Sequence, residues 1–464
     1  MSRFNTSKVL VKTAPTPRTP AAPISAPAVL ALPSEPSHSP FILNPSPSDV
    51  GLMQRVGFGL FCILTLSGFA NEFAMRAFHF KAYISTVSWV LIPLMMVLSG
   101  NLLRGLRDVT GRLWLFFLAW IVLAVPFSVW KGGSVTLLLD YVVHNWIILF
   151  YCAAFLISFW HCRIFLYFAI ASNFVLLLDC FLFGAVKDGR FDIPDSMFFS
   201  NANDLALQLL IAITQFMFLL YQRQVWKQAA GALGILIALV YMLKTGSRGS
   251  FLAFLAVVLV CIVFGRNRAR LLLVAVPVAV TALVIVPSSA FHRLSLIALS
   301  PETITISEST DLSAVGSQVQ RMALFRQSVM YAITHPFVGV GPGQFATATY
   351  GDSVKSGTRA NWLGTHNSYT QVASECGIPA FLLYVSVIGV TLVSTYRIFR
   401  RTSRLAELHD LNAMAFCYFC ATLVYAIATF FFHIAYSNYL AALAGMSIAL
   451  RLATSRVLWS SRAA

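Results

Sequence analysis

Charge is scarce in this sequence. Only 11% of its 464 residues are Asp, Glu, Lys or Arg, whereas 58% are hydrophobic. A soluble domain carries about 25% charged residues, so this chain cannot cover a water-facing surface. Acidic residues are the scarcest, 17 against 33 basic ones, for a net charge of +16. That excess invites a nucleic-acid reading, but its distribution argues against one. The basic residues gather in intervals between apolar runs (Arg104, Arg107 and Arg112; Arg266, Arg268 and Arg270; Arg397, Arg400, Arg401 and Arg404). Cysteine is sparse as well. The 8 cysteines lie mostly inside apolar runs, and Cys417 and Cys420 have no second pair beside them, so neither a disulfide framework nor a metal site is implied. There is no HExxH motif. The glycine-rich GVGPGQF (339–345) lacks a following Lys-Ser/Thr and a preceding strand, so it is no nucleotide loop. Asp188, Asp192 and Asp195 form a weak metal candidate interrupted by Pro194. No internal repeat of the kind seen in many transporters is visible.

What the chain has in abundance is apolar runs long enough to cross a bilayer, about twelve of them. The fold class expected is an all-α integral membrane protein with a large helical loop between spans nine and ten. Residues 1–50 are a leader rich in Pro, Ala and Ser. It buries nothing, is expected to be disordered, and does not resemble a signal peptide. Residues 51–287 carry spans one to nine, 288–377 a cap loop, and 378–464 spans ten to twelve with a tail. The positive-inside bias puts both termini in the cytoplasm and the cap on the outer, periplasmic side. Within the cap, SQVQRMALFRQSVMYAIT (317–334) has apolar residues at Val319, Met322, Phe325, Val329 and Ile333, the spacing of an amphipathic helix that His335-Pro336 ends. A short helix is expected after the glycine-rich turn. Thr365 is placed to cap a further helix beginning at His366.

The candidate functional residues lie on this outer side. Arg248, in TGSRGSF, is either an ordinary span-end arginine or an anion clamp, with Gly246 and Gly249 admitting an anion close to the backbone. Arg321 lies on the amphipathic helix and is either a solvated charge or a second clamp. Arg326 is a weaker candidate, projecting about 140° away. His366, in THNSYTQ, is either a structural loop histidine or a general base. A helix start and a nearby arginine both disfavour imidazolium there and leave a proton acceptor at neutral pH. Asn367 and Tyr369 beside it, and Arg359 upstream, are candidates for binding a hydroxylated substrate.

Four stretches together resemble the O-antigen ligase and polymerase superfamily of GT-C-like bacterial membrane glycosyltransferases. They are SNANDLALQLL (200–210), LKTGSRGSFLAF (243–254), QRMALFRQSVMYAITHPFVGVGPGQF (320–345) and THNSYTQVASECGIPAF (365–381). The resemblance covers roughly residues 200–400. It implies an undecaprenyl-diphosphate-linked glycan donor and, as acceptor, lipid A–core in ligases or another lipid-linked glycan in polymerases. It implies no metal and no cofactor. It assigns Arg248 and Arg321 to the donor diphosphate and His366 to catalysis. His366, Asn367 and Gly377 meet the family pattern; Ala380 stands where ligases often carry Gly, which leans slightly toward a polymerase. A protein O-oligosaccharyltransferase of the same superfamily is a variant reading. A polysaccharide transporter or flippase is the rival, kept open by Asp140, His144 and Asp179 within spans.

Overall fold

A computed structural model describes residues 50–80, 83–187, 189–265, 309–357 and 362–460, with the side chains of 309–318 and 455–460 excepted. The leader, the expected ninth span (271–287), His292 and Arg359 lie outside the described residues.

The described chain is almost entirely helical. In order, the helices are α1 (Leu52–Phe78), α2 (Ile84–Leu98), α3 (Val109–Ala124), α4 (Lys131–Asp140), α5 (Ile148–Phe155), α6 (Phe159–Phe183), α7 (Ala202–Leu220), α8 (Val225–Lys244), α9 (Arg248–Phe264), α10 (Ser309–Thr334), α11 (Phe345–Lys355), α12 (Ser368–Thr402), α13 (His409–Ala428) and α14 (Asn438–Ser460). Among the described residues, eight helical stretches are long and apolar enough to cross a membrane, and two shorter apolar helices, α2 and α9, accompany them. Among the described residues the one small exception to an all-α fold is a hairpin. Its strands β1 (Ala185–Lys187) and β2 (Arg190–Asp192) pair antiparallel, and Gly189 takes the left-handed φ of +68° between them.

Local chemistry sets the helix ends. Asp108, Ser158 and Asn201 each accept a backbone N–H at the start of α3, α6 and α7, which satisfies donors a helix leaves unpaired. The membrane-length stretch Lys131–Phe155 is not one continuous α-helix: a π turn at Tyr141–Trp146 separates α4 from α5. Helices α7 and α13 form the buried centre. α13 packs on α7, α9, α12 and α14. Large apolar residues such as Phe181 and Val90 stay exposed on the outside, as a lipid-facing surface requires. All eight cysteines are free thiols.

Two features of α12 position everything that follows. Gly377 breaks it with φ +83° and ψ 174°. Pro379 follows, and a proline has no N–H to give. At the break the Ile378 N–H turns outward and donates to the Pro336 carbonyl at 2.7 Å, while Trp120 Nε1 of α3 donates to the carbonyls of Phe337 and Cys376 at 3.0 and 3.1 Å. The segment ending α10 is thereby tied to the kink.

The amphipathic helix expected over 317–334 forms and runs from Ser309 to Thr334. The stripe Val319, Met322, Phe325 and Ile333 is exposed; the face that packs inward carries Leu324, Ser328, Tyr331 and Ala332. Those residues win because α10 leans on α12 and on α11, where Leu324 and Tyr331 pack with Val340 and Phe345. Tyr331 also donates its hydroxyl to Asp352 at 2.6 Å.

Candidate active site

GVGPGQF acts as a clip. The N–H groups of Val340 and Gly341 donate to the carbonyls of Ser374 and Glu375, both at 2.9 Å. The buried Glu375 carboxylate accepts from the N–H of Gly343 at 2.9 Å and of Phe345 at 3.4 Å. Gly339, Gly341 and Gly343 all have positive φ. At Gly341 a Cβ would collide with Ser128, so this backbone path excludes other residues. On its far side the loop is fastened to the α3–α4 turn, through Val129 N–H to Val340 O at 3.0 Å and Ser134 Oγ to Pro342 O at 2.9 Å. The clip orients α10 and with it Arg321.

Arg248 is the first residue of α9 rather than a residue of a free turn. Gly246 does make the turn, with φ +61°. Gly249 serves packing instead of anion access: a Cβ there would stand 2.6 Å from Phe431. Its small size lets α9 close on the segment that follows α13.

The helix expected to start at His366 starts at Ser368, and Asn367, not Thr365, caps it. Asn367 Oδ1 accepts from the N–H groups of Tyr369 and Thr370 at 2.9 and 3.0 Å. His366 has φ +52°, a left-handed conformation no α-helix contains. Thr365 Oγ1 donates to the Asn367 carbonyl at 2.9 Å, bracing that turn.

These three segments meet. Arg248, Arg321 and His366 line one cavity of about 300 Å³, with Thr365 and Asn367 beside them. Leu252, Met322, Phe325, Phe430 and Phe431 make up the apolar part of its wall. Burial first, then His433, then Arg321 push the His366 imidazole from its ordinary 6.5 down to about 4, so the ring is neutral at physiological pH. The remaining candidates lie elsewhere. Arg326 is exposed and does not line the cavity. Tyr369 is committed to the framework: its hydroxyl donates to the Ala426 carbonyl at 2.7 Å and its ring packs on Phe430 at 4.3 Å. His335 is exposed and hydrogen-bonds Thr334 at 3.0 Å. Asp192 closes a local turn by accepting the Ile193 N–H at 2.9 Å.

Sequence reasoning missed His433. Its ring stands perpendicular to that of His366, with centroids 4.9 Å apart. The available signal was the polar break HIAYSN (433–438) after the aromatic run Phe430–Phe432 that follows α13. It is a short interval that a search for long loops passes over.

Residues 233–385 match the model of a family described as O-antigen ligase. The match spans all three of Arg248, Arg321 and His366 and excludes His433. No curated protein matches the chain. Over residues 233–385 the chain is thus similar to an O-antigen ligase domain, and among the described residues eight helical stretches are long and apolar enough to cross a membrane.

Proposed function

We propose that this cavity transfers a glycan from an undecaprenyl-diphosphate carrier to a sugar hydroxyl at the periplasmic face. The observation that carries the reading is the convergence of two guanidinium groups and one neutral imidazole on a single cavity with otherwise mostly apolar walls. Arg248 and Arg321 would hold the donor diphosphate. Guanidinium forks match phosphate oxygens, and in a partly dehydrated site they stabilise the charge that develops as diphosphate leaves. His366 would take the proton of the acceptor hydroxyl, whose oxygen bonds to the anomeric carbon while the bond from that carbon to the diphosphate oxygen breaks. The leaving group carries off the electron pair. The apolar wall of Leu252, Met322 and Phe325 suits the first isoprene units of the carrier.

The acceptor is lipid A–core for a ligase, or a second lipid-linked glycan for a polymerase. The family description favours the ligase. Ala380 does not weigh against it, because that side chain is fully buried in α12 and packing sets its size.

The test is transfer of lipid-diphosphate-linked glycan by purified protein in detergent or vesicles. His366→Ala is expected to lose about 10²–10⁴-fold in rate, the usual worth of a general base, while still binding donor. A wild-type rate for that variant, at equal expression, would overturn the assignment of the base.

A further inference from the structure

We propose that His433 is a positioning residue for His366: its ring fixes the orientation of the His366 imidazole and prevents both rings from carrying a proton at once, so His366 remains a proton acceptor. This inference rests on the reading of His366 as the base.

The geometry around His433 is tightly specified. Two segments distant in sequence are stitched together on both sides of it. The Ser368 N–H donates to the Thr429 carbonyl at 2.8 Å, and Ser368 Oγ donates to the Phe432 carbonyl at 2.7 Å. The same oxygen accepts the Ile434 N–H at 2.9 Å, and Gln371 Oε1 accepts the Ala435 N–H at 3.2 Å. The residues immediately before and after His433 are therefore both held by Ser368. Gly364 completes the fit. A Cβ at that position would stand 2.7 Å from His433 Cδ2 and 2.9 Å from Nε2, so the chain entering His366 is moulded around the His433 ring. The two imidazoles then meet at 87° with centroids 4.9 Å apart. His433 does not line the cavity; it stands behind His366 and acts through it.

Two imidazolium rings at this separation repel each other strongly in a half-buried site. The charged and titratable groups acting on the pair come from several elements. Burial above all, and Arg321 of α10 with it, disfavours a proton on either ring, and Asp204 of α7 opposes this only in part, at His433. Arg248 of α9 lines the cavity in front, and Tyr439 of α14 neighbours Asp204. If one ring is to be charged, Asp204 makes it His433. During transfer the acceptor O–H proton passes to His366 as the new C–O bond forms and the bond to diphosphate breaks. A second ring held at right angles keeps His366 turned toward that hydroxyl.

The experiment is the pH profile of glycan transfer between about pH 4.5 and 8 for His433→Phe, which keeps an aromatic ring against His366 but cannot be charged. Removing the second imidazole lets His366 take its proton at higher pH. Burial, the larger cause, stays, so the acid limb is expected to move toward neutrality by about one pH unit, with a rate loss of roughly threefold near pH 4.5, about twofold near pH 5 and none near pH 7.5. A merely structural role would lower the rate equally at every pH. Asp204→Asn, which leaves the His433 packing intact, should shift the limb the same way by less. It serves as the second variant if His433→Phe does not fold. Profiles superimposable on wild type, or uniformly lowered, overturn the proposal while His366→Ala remains inactive. A wild-type rate in His366→Ala overturns this inference together with the reading beneath it.

Discussion

Asp140 and His144 meet on one stretch of helix, an i,i+4 pair with Nδ1 to Oδ1 at 2.9 Å. Arg248, Arg321 and His366 meet from three separate elements, around a cavity. Both groups are polar islands on an apolar chain, and both kept a function open when only the sequence was considered. The first satisfies itself locally. Its two side chains are 50% and 68% exposed, and helical spacing alone brings them together. The second cannot form until α9, α10 and the start of α12 have docked, and it encloses space. A pair that closes on itself asks for no ligand, whereas cations and a neutral base arranged around a void suit an anionic substrate with a hydroxyl partner.

That contrast can be broken most decisively at the arginines. Arg248→Ala or Arg321→Ala is expected to lower glycan transfer by about 10²–10³-fold, the cost of removing one fixed donor from a developing anion. Arg→Lys should recover only part of the loss, because an ammonium lacks the guanidinium fork. Asp140→Asn should stay within about twofold of wild type, as expected for an exposed pair. Equal damage from Asp140→Asn and Arg248→Ala in the same vesicle assay would erase the distinction.

The clip that aims Arg321 offers a sharper, smaller effect. Gly341 has φ +113° and no room for a Cβ beside Ser128. Gly341→Ala should cost about 1–3 kcal/mol of stability and impair transfer through a misplaced α10. Thermal unfolding in detergent measures the first and the vesicle assay the second. An unchanged melting temperature would show that the loop tolerates the side chain.

A third consequence concerns pH. The folded chain holds His366 neutral down to about pH 4, whereas its ordinary value is 6.5. Between those values the unfolded chain binds the proton and the folded chain does not, so this residue makes stability fall as pH drops from 6.5 toward 4. His366→Gln should flatten that part of the curve, as seen in melting temperatures against pH. A variant curve parallel to wild type would mean that His366 is not held neutral.

The smallest effect belongs to the helix cap. Asn367→Ala removes the acceptor of two N–H groups and should cost about 1 kcal/mol, and Asn367→Asp should retain most of it. Chemical denaturation of the two variants distinguishes them.

Much of the framework was legible in the residues. Among the described residues the apolar runs fall on helices, eight of these stretches being long and apolar enough to cross a membrane, which is fewer than the twelve spans expected; the run 271–287 lies outside the described residues. His335-Pro336 ends α10 where a proline must. The face of α10 was not legible. Spacing of three and four marks an apolar stripe, but in a membrane protein an apolar stripe need not turn inward. Leu324 and Tyr331, on the other face, found the core. The cap was misplaced for a related reason. Thr365 and Asn367 are both good caps, and choosing between them depends on the left-handed backbone of His366, which the packing against His433 accompanies.

By itself, then, the sequence determined the solvent this chain lives in, the helices that cross it and the residue types available for chemistry, because hydropathy and spacing act over short stretches. Only the tertiary structure decided which of those residues share a cavity. Arg248 reaches it because Gly249 lets α9 close on Phe431, Arg321 because Glu375 holds the glycine clip, and His366 because Ser368 stitches its loop to the segment carrying His433. Each of these is a contact between segments far apart in the chain. Such contacts depend on shape and hydrogen-bond partners that no local pattern encodes.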